Sequence, residues 1–169
     1  MLYFFDTNAL VRNYVFDTGA AWVQSILEQR RIGPRCYISE LACVETLSSL
    51  YKLERIRKYH SSFTDAAVAR FNRHIEHSRR ELRYRTYEII PLGDDVVKRA
   101  QVLLRQYRSG APHAIRSLDA LQLAAALIAR DSLTAESQSQ LAFVTSDRQL
   151  GGVAHNEGFP LIRPEDEVS

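Results

Sequence analysis

Four acids in this sequence have types and settings that could do chemistry together: Asp6, Glu45, Asp119 and Asp147. Asp6 closes the apolar start of "FFDTNALV", with Asn8 two residues on. Asp147 follows the apolar run "AFVT" and Ser146. Glu45 lies six residues past Ser39, a good helix N-cap, and Asp119 two residues past Ser117. If a fold gathers these carboxylates, their mutual repulsion raises some of their pKa values. A hard divalent cation relieves that repulsion, and an all-carboxylate donor set favours Mg²⁺ or Mn²⁺ over Zn²⁺. Such a centre activates water and stabilises the attacking and leaving oxygens of a phosphodiester. Each acid also has a plainer role. Asp6 and Asp147 could cap helices, Glu45 could be an exposed helix acid, and Asp119 could answer the dipole of a first turn. Glu40, near its helix N-cap, is expected to be solvated. The pattern gains its force from the four acids jointly.

The elements that would position them alternate between strand and helix. Apolar, β-prone runs predict strands at Leu2 to Asp6, Arg35 to Ile38, Tyr87 to Leu92, Ala142 to Thr145 and Phe159 to Ile162. Helical patterns fill Ala20 to Gln29, the run from Glu40 to Ile56, roughly Phe63 to Arg83, Asp94 to Tyr107 and Leu118 to Arg130. Ser109 to Ile115 and Ser132 to Gln140 read as loops. Short strands alternating with helices predict an α/β fold with a parallel sheet covered on both faces. Ligands of such sheets sit at the carboxyl ends of the strands, where Asp6 and Asp147 fall.

Composition bounds the class. With 46% hydrophobic and 25% charged residues, 169 residues suffice for one domain with a core. The N-terminus lacks a basic leader region, and the apolar stretch Leu118 to Ala129 is interrupted by Asp119 and Gln122. Cys36 and Cys43 are too few for a disulfide scaffold and are expected to be small buried residues in a reduced, cytoplasmic protein. The net charge of +2 conceals an asymmetry: residues 51–85 hold ten Lys/Arg against four Asp/Glu, so this stretch carries +6 and the remainder −4. A basic surface beside an acidic remainder suits a polyanion partner, and a solvated helical face accounts for it equally. His60, His74 and His77 lie in the same stretch. The spacing of the last two could serve a metal, but nothing nearby completes a site, and surface positions are expected.

Together, "FFDTNALV", "ISELACVETL" (Ile38 to Leu47), "SLDALQLAAAL" (Ser117 to Leu127) and "FVTSDRQL" (Phe143 to Leu150) resemble the PIN-domain ribonucleases, and among them the VapC-type toxins of toxin–antitoxin pairs. The pieces fall in the family's order and reach both ends of the chain. The resemblance implies a single domain over residues 1–169, a three-layer α/β/α sandwich on a mainly parallel sheet, with a basic helical segment at about 51–85. It implies Mg²⁺- or Mn²⁺-dependent cleavage of RNA to 5′-phosphate and 3′-hydroxyl ends. Asp6, Glu45, Asp119 and Asp147 resemble the family's metal-binding acids. Asn8 resembles the polar residue supporting the first acid, and Thr145 the hydroxyl that orders the cluster. A homodimer and a partner antitoxin are further implications. Arg79 and Arg80 are candidates for RNA contact. The chain departs from compact members by extra length after Tyr51 and at Ser132 to Gln140.

Rival chemistries fit less well. A haloacid-dehalogenase-like phosphatase needs a second acid where Asn8 stands. A dinucleotide-binding fold needs a glycine-rich turn after its first strand, and residues 6–12 contain no glycine. No P-loop is present. The remaining alternative is a PIN-like module that binds RNA or protein without cutting.

Overall fold

The computed structural model describes residues 1–28, 35–80, 85–108 and 114–167. Among these residues, five strands, β1 (Leu2–Phe5), β2 (Arg35–Ser39), β3 (Glu88–Ile90), β4 (Leu141–Val144) and β5 (Leu161–Ile162), form one sheet in the order β3-β2-β1-β4-β5. Every pairing is parallel. Among the described residues, eight helices connect or follow the strands: α1 (Thr7–Val11), α2 (Ala20–Glu28), α3 (Glu40–Arg55), α4 (Ser61–Arg80), α5 (Asp94–Gln106), α6 (Ser117–Asp131), α7 (Ala135–Gln138) and α8 (Arg148–Asn156).

Side-chain alternation along the central strands divides the core into two layers. Tyr3 and Phe5 of β1 join Cys36, Ile38, Ala142 and Val144 on one face. Leu10 of α1, Val23 of α2, Leu50 of α3 and Phe71 of α4 cover them. Phe4, Tyr37 and Phe143 line the opposite face beneath Leu103 of α5, Leu123 of α6 and Val153 of α8. Phe4 pairs with Phe143 in register, and their rings stack at 5.7 Å. The result is the α/β/α sandwich expected from the sequence.

The strand order is what positions a site. The chain moves from β1 through β2 to β3 on one side, then returns to the other side for β4 and β5. The carboxyl ends of β1 and β4 therefore meet where the winding direction reverses, the usual crevice of a doubly wound sheet. Three helices were not given ranges by the sequence reading. α7 occupies part of the predicted loop Ser132 to Gln140, α1 follows β1 after the single residue Asp6, and α8 starts after a three-residue turn beyond β4; the last two are the short helices that Asp6 and Asp147 could cap. Gln29, Gly33 and Pro34, the predicted helical residues after Arg80, and Ser109 to His113 lie outside the described residues.

Two of the basic residues in the 51–85 stretch are committed to structure. Arg70 donates to the Asn13 carbonyl and lies 5.2 Å from the Tyr14 ring, while Lys58 pairs with Asp17 at 3.4 Å. Arg79 and Arg80 are exposed at the end of α4. His60 and His77 are exposed as expected, but His74 corrects that expectation. It is half-buried, with Nδ1 2.9 Å from the Tyr14 hydroxyl, because α4 lays that side chain against Tyr14 and Tyr87. Cys36 is buried, whereas Cys43 is only half-buried.

Phe143 tests the core directly. Phe143→Ala should destabilise the fold by about 3–5 kcal/mol, the usual cost of emptying a buried aromatic site. Denaturant unfolding gives the value; a loss below about 1 kcal/mol would mean that the face under α5, α6 and α8 does not depend on this packing.

Candidate active site

Asp6 stands immediately beyond the central strand and is 2% exposed. Its backbone is extended, and it caps α1: Oδ1 accepts from the Ala9 amide at 2.8 Å. Its other oxygen, Oδ2, accepts from the Thr145 hydroxyl at 2.5 Å. Thr145 Oγ1 in turn accepts from the Asp147 amide at 3.0 Å. One hydroxyl thus fastens the end of β1 to the turn after β4. These bonds favour the Asp6 carboxylate, but burial outweighs them and the nearby charges of Asp147 and Asp119 act in the same direction. The Asp6 carboxyl is pushed from its ordinary value of 3.8 up to about 7.

Asp147 divides its oxygens between two tasks. Oδ1 caps α8 by accepting from the Gln149 and Leu150 amides, at 2.8 and 3.0 Å. Oδ2 lies 3.4 Å from Arg116 Nη2. The same guanidinium meets Asp119 Oδ2 through Nε at 2.8 Å. Both acids hold the arginine's pKa above its ordinary value, Asp119 foremost. Arg116 nevertheless sits at the surface, 77% exposed.

Glu45 reaches the crevice from α3. Its Oε2 accepts from the Thr7 hydroxyl at 2.7 Å and from the Gln122 amide at 2.6 Å. Asp6, Thr7, Glu45, Arg116, Asp119 and Gln122 share an open crevice of about 300 Å³. Asn8 and Ser49 also line it and continue into a neighbouring groove bordered by Asp147, Arg12 and Lys52.

The structure therefore places Asp6, Glu45 and Asp119 around one crevice and Asp147 in the adjoining groove that shares Asn8 and Ser49 with it. It changes the part given to Asn8. Asn8 is exposed on the crevice wall and makes no hydrogen bond to Asp6; Thr145 and the Ala9 amide hold that carboxylate. The reason is local. As the second residue of α1, Asn8 projects outward while the cap turns Asp6 inward. Glu40 is exposed and accepts from the Leu92 amide at 3.0 Å. Thr7, Gln122 and Arg116 contribute to the site without having stood out in the sequence. Gln122 left one trace, as a polar residue within the apolar "LDALQLAAAL".

Among the described residues, no three His, Cys, Asp or Glu side chains stand close enough to cage a metal unaided. The oxygen-only donor set and the uncompensated burial of Asp6 both fit a hard divalent cation.

The PIN-domain family model matches residues 3–156. No curated protein matches the sequence significantly. In the solved structures, the FitAB complex bound to an IR36 DNA fragment aligns with a TM-score of 0.60 at 16% identity, covering 96% of this chain and 95% of that chain. VapBC2 from Rickettsia felis, bound to a promoter DNA fragment, aligns at 0.60 and 15% identity, covering 96% and 98%. A toxin–antitoxin complex from Klebsiella pneumoniae aligns at 0.52 and 19%, covering 96% and 97%. At these identities the likeness is one of fold.

The raised Asp6 pKa fixes a pH dependence. The unfolded carboxyl ionises near 4 and the folded one at about 7, so between these values the folded protein holds a proton that the unfolded chain has lost. Stability falls as pH rises through that window, and the cost is complete above it. With a chelator present, Asp6→Asn should melt above the parent at pH 8, with the gap closing as the pH approaches 4. A gap independent of pH would show that Asp6 is not buried as a charge.

Proposed function

Because the chain belongs to the PIN-domain family, we propose that it is a metal-dependent endoribonuclease, hydrolysing RNA phosphodiesters to 5′-phosphate and 3′-hydroxyl ends as the VapC-type toxin of a toxin–antitoxin pair. The observation that carries this reading is Asp6: a carboxylate buried at the sheet's reversal point, fixed through both oxygens and flanked by two further acids. Such an arrangement is costly for a fold and useful to a cation site.

Asp6, Glu45, Asp119 and Asp147 would hold Mg²⁺ or Mn²⁺. The bound cation would supply an activated water and stabilisation of charge at phosphorus. Thr145 keeps Asp6 in line with the turn that carries Asp147. Thr7 and Gln122 fix one oxygen of Glu45. Arg79 and Arg80 would meet RNA phosphates away from the acids, which repel them. A cytoplasmic homodimer silenced by an antitoxin follows from the family resemblance, and the structural neighbours include toxin–antitoxin complexes. No helix among the described residues is long and apolar enough to cross a membrane. The alternative is a non-cleaving PIN-like binding module, favoured by the lack of a self-sufficient metal cage among the described residues.

An RNA cleavage assay with Mg²⁺ or Mn²⁺ separates the two readings. Cleavage should disappear with EDTA and in folded Asp6→Ala and Asp119→Ala variants. An Asp6→Ala protein that cuts normally would overturn the nuclease assignment, and RNA bound but uncut in either metal would support the binding module. In a separate binding titration, the Arg79→Ala/Arg80→Ala double variant should weaken RNA binding. It should also flatten the plot of log K against log salt by about 0.7 for each RNA phosphate that these arginines neutralise in the parent. An unchanged slope would leave these arginines as an ordinary solvated face.

A further inference from the structure

Gln122 lies on α6 close to one turn beyond Asp119 and is 3% exposed. Every other buried residue of this helix is Ala or Leu. An apolar side chain would fill the same space without the cost of desolvating an amide, so packing alone does not account for it.

Its hydrogen bonds do. Oε1 accepts from the Ser39 hydroxyl at 2.8 Å. Nε2 donates to Glu45 Oε2 at 2.6 Å and to Thr7 Oγ1 at 2.7 Å. The Thr7 hydroxyl donates onward to the same Glu45 oxygen at 2.7 Å. The amide has one workable orientation, because a flipped group would set its carbonyl against a carboxylate at 2.6 Å. Ser39 enforces that choice. Its oxygen accepts from the Ala42 amide at 3.2 Å as the N-cap of α3, which leaves its hydrogen for Gln122. One side chain therefore starts the helix that carries Glu45 and also orients the amide that grips Glu45.

We propose that Gln122 is a positioning residue which, locked by Ser39, fixes one oxygen of Glu45 so that the carboxylate is preset to receive the divalent cation. This rests on the reading of Glu45 as a metal ligand. The network closes a triangle between Thr7 after β1, Glu45 on α3 and Gln122 on α6, so the amide also keeps those three elements in mutual register. Groups behind a ligand commonly contribute ten- to a hundredfold to metal affinity.

The test is a Mn²⁺ titration followed by electron paramagnetic resonance, with melting curves of the same proteins in chelator. Gln122→Met keeps the length and burial of the side chain and removes both of its hydrogen-bonding ends. It should bind Mn²⁺ about tenfold or more weakly than the parent. Glu45→Gln should also bind more weakly, and the Glu45→Gln/Gln122→Met double variant no more weakly than Glu45→Gln alone, because Gln122 acts through Glu45. If Gln122→Met does not fold, half-buried Thr7→Val removes another donor from the same oxygen and should lower affinity in the same direction. Parental Mn²⁺ affinity in Gln122→Met, with only the melting temperature reduced, would overturn the inference and leave a structural amide. Parental affinity in Glu45→Gln would instead bring down the ligand reading beneath it.

Discussion

The site depends on one constraint: a carboxylate has been placed, out of water, at the end of the middle strand of a parallel sheet. Neither the Thr145 hydroxyl nor the Ala9 amide brings a full positive charge to Asp6, so hydrogen bonding lowers the cost of its ionisation without abolishing it. Much of the local architecture follows. The chain must turn into a helix directly after β1, because the helix start supplies the amide. The turn after β4 must bring a hydroxyl to the other oxygen. Parallel pairing of β1 with β4, in register from Leu2–Leu141 to Phe5–Val144, delivers Thr145 to that place.

Three of the four acids share a common design. Asp6 caps α1 with one oxygen and takes the Thr145 hydroxyl on the other. Asp147 caps α8 with one oxygen and turns the other toward Arg116. Glu45 commits one oxygen to Thr7 and Gln122. Side chains fixed in this way have given up rotamer freedom during folding, so little ordering remains when a ligand arrives. The capping and site readings of Asp6 and Asp147, rivals in the sequence, are therefore compatible. A cap is a means of aiming a carboxylate.

How much of this was legible beforehand follows the range of each interaction. Strands β1, β2 and β4 and the long helices α3, α5 and α6 announced themselves through apolar runs, caps and spacing, because those signals are local. α1 and α8 showed only as possible caps at Asp6 and Asp147, since helices of five and nine residues carry little periodic pattern. The acids were found by their positions at strand ends and helix starts. The Thr145–Asp6 contact spans 139 residues and the Ser39–Gln122 contact 83, and no window along the chain holds both partners. Asn8 shows the converse. The family resemblance suggested that Asn8 supports Asp6, but the helix that starts between them leaves Asn8 exposed and Asp6 buried. His74 was misjudged similarly, because the basic composition around it gave no sign that Tyr14 and Tyr87 would lie beneath.

Arg116 bears on whether the crevice can take a cation at all. Its guanidinium already meets Asp119 and Asp147, and a permanent internal counterion would make a metal redundant. The exposure of the arginine decides against that. A pair this open to water is typically worth about 0–1 kcal/mol, since solvent screens the attraction and a long side chain must be ordered to make it. Asp6, the acid with the largest unmet demand for positive charge, receives no ion pair from Arg116, whose two contacts fall on the outer acids. The arginine thus tempers the repulsion at the rim of the crevice and leaves its floor acidic. That gradient, with a weakly held guanidinium outside and a buried carboxylate inside, is what the proposed cation site would use.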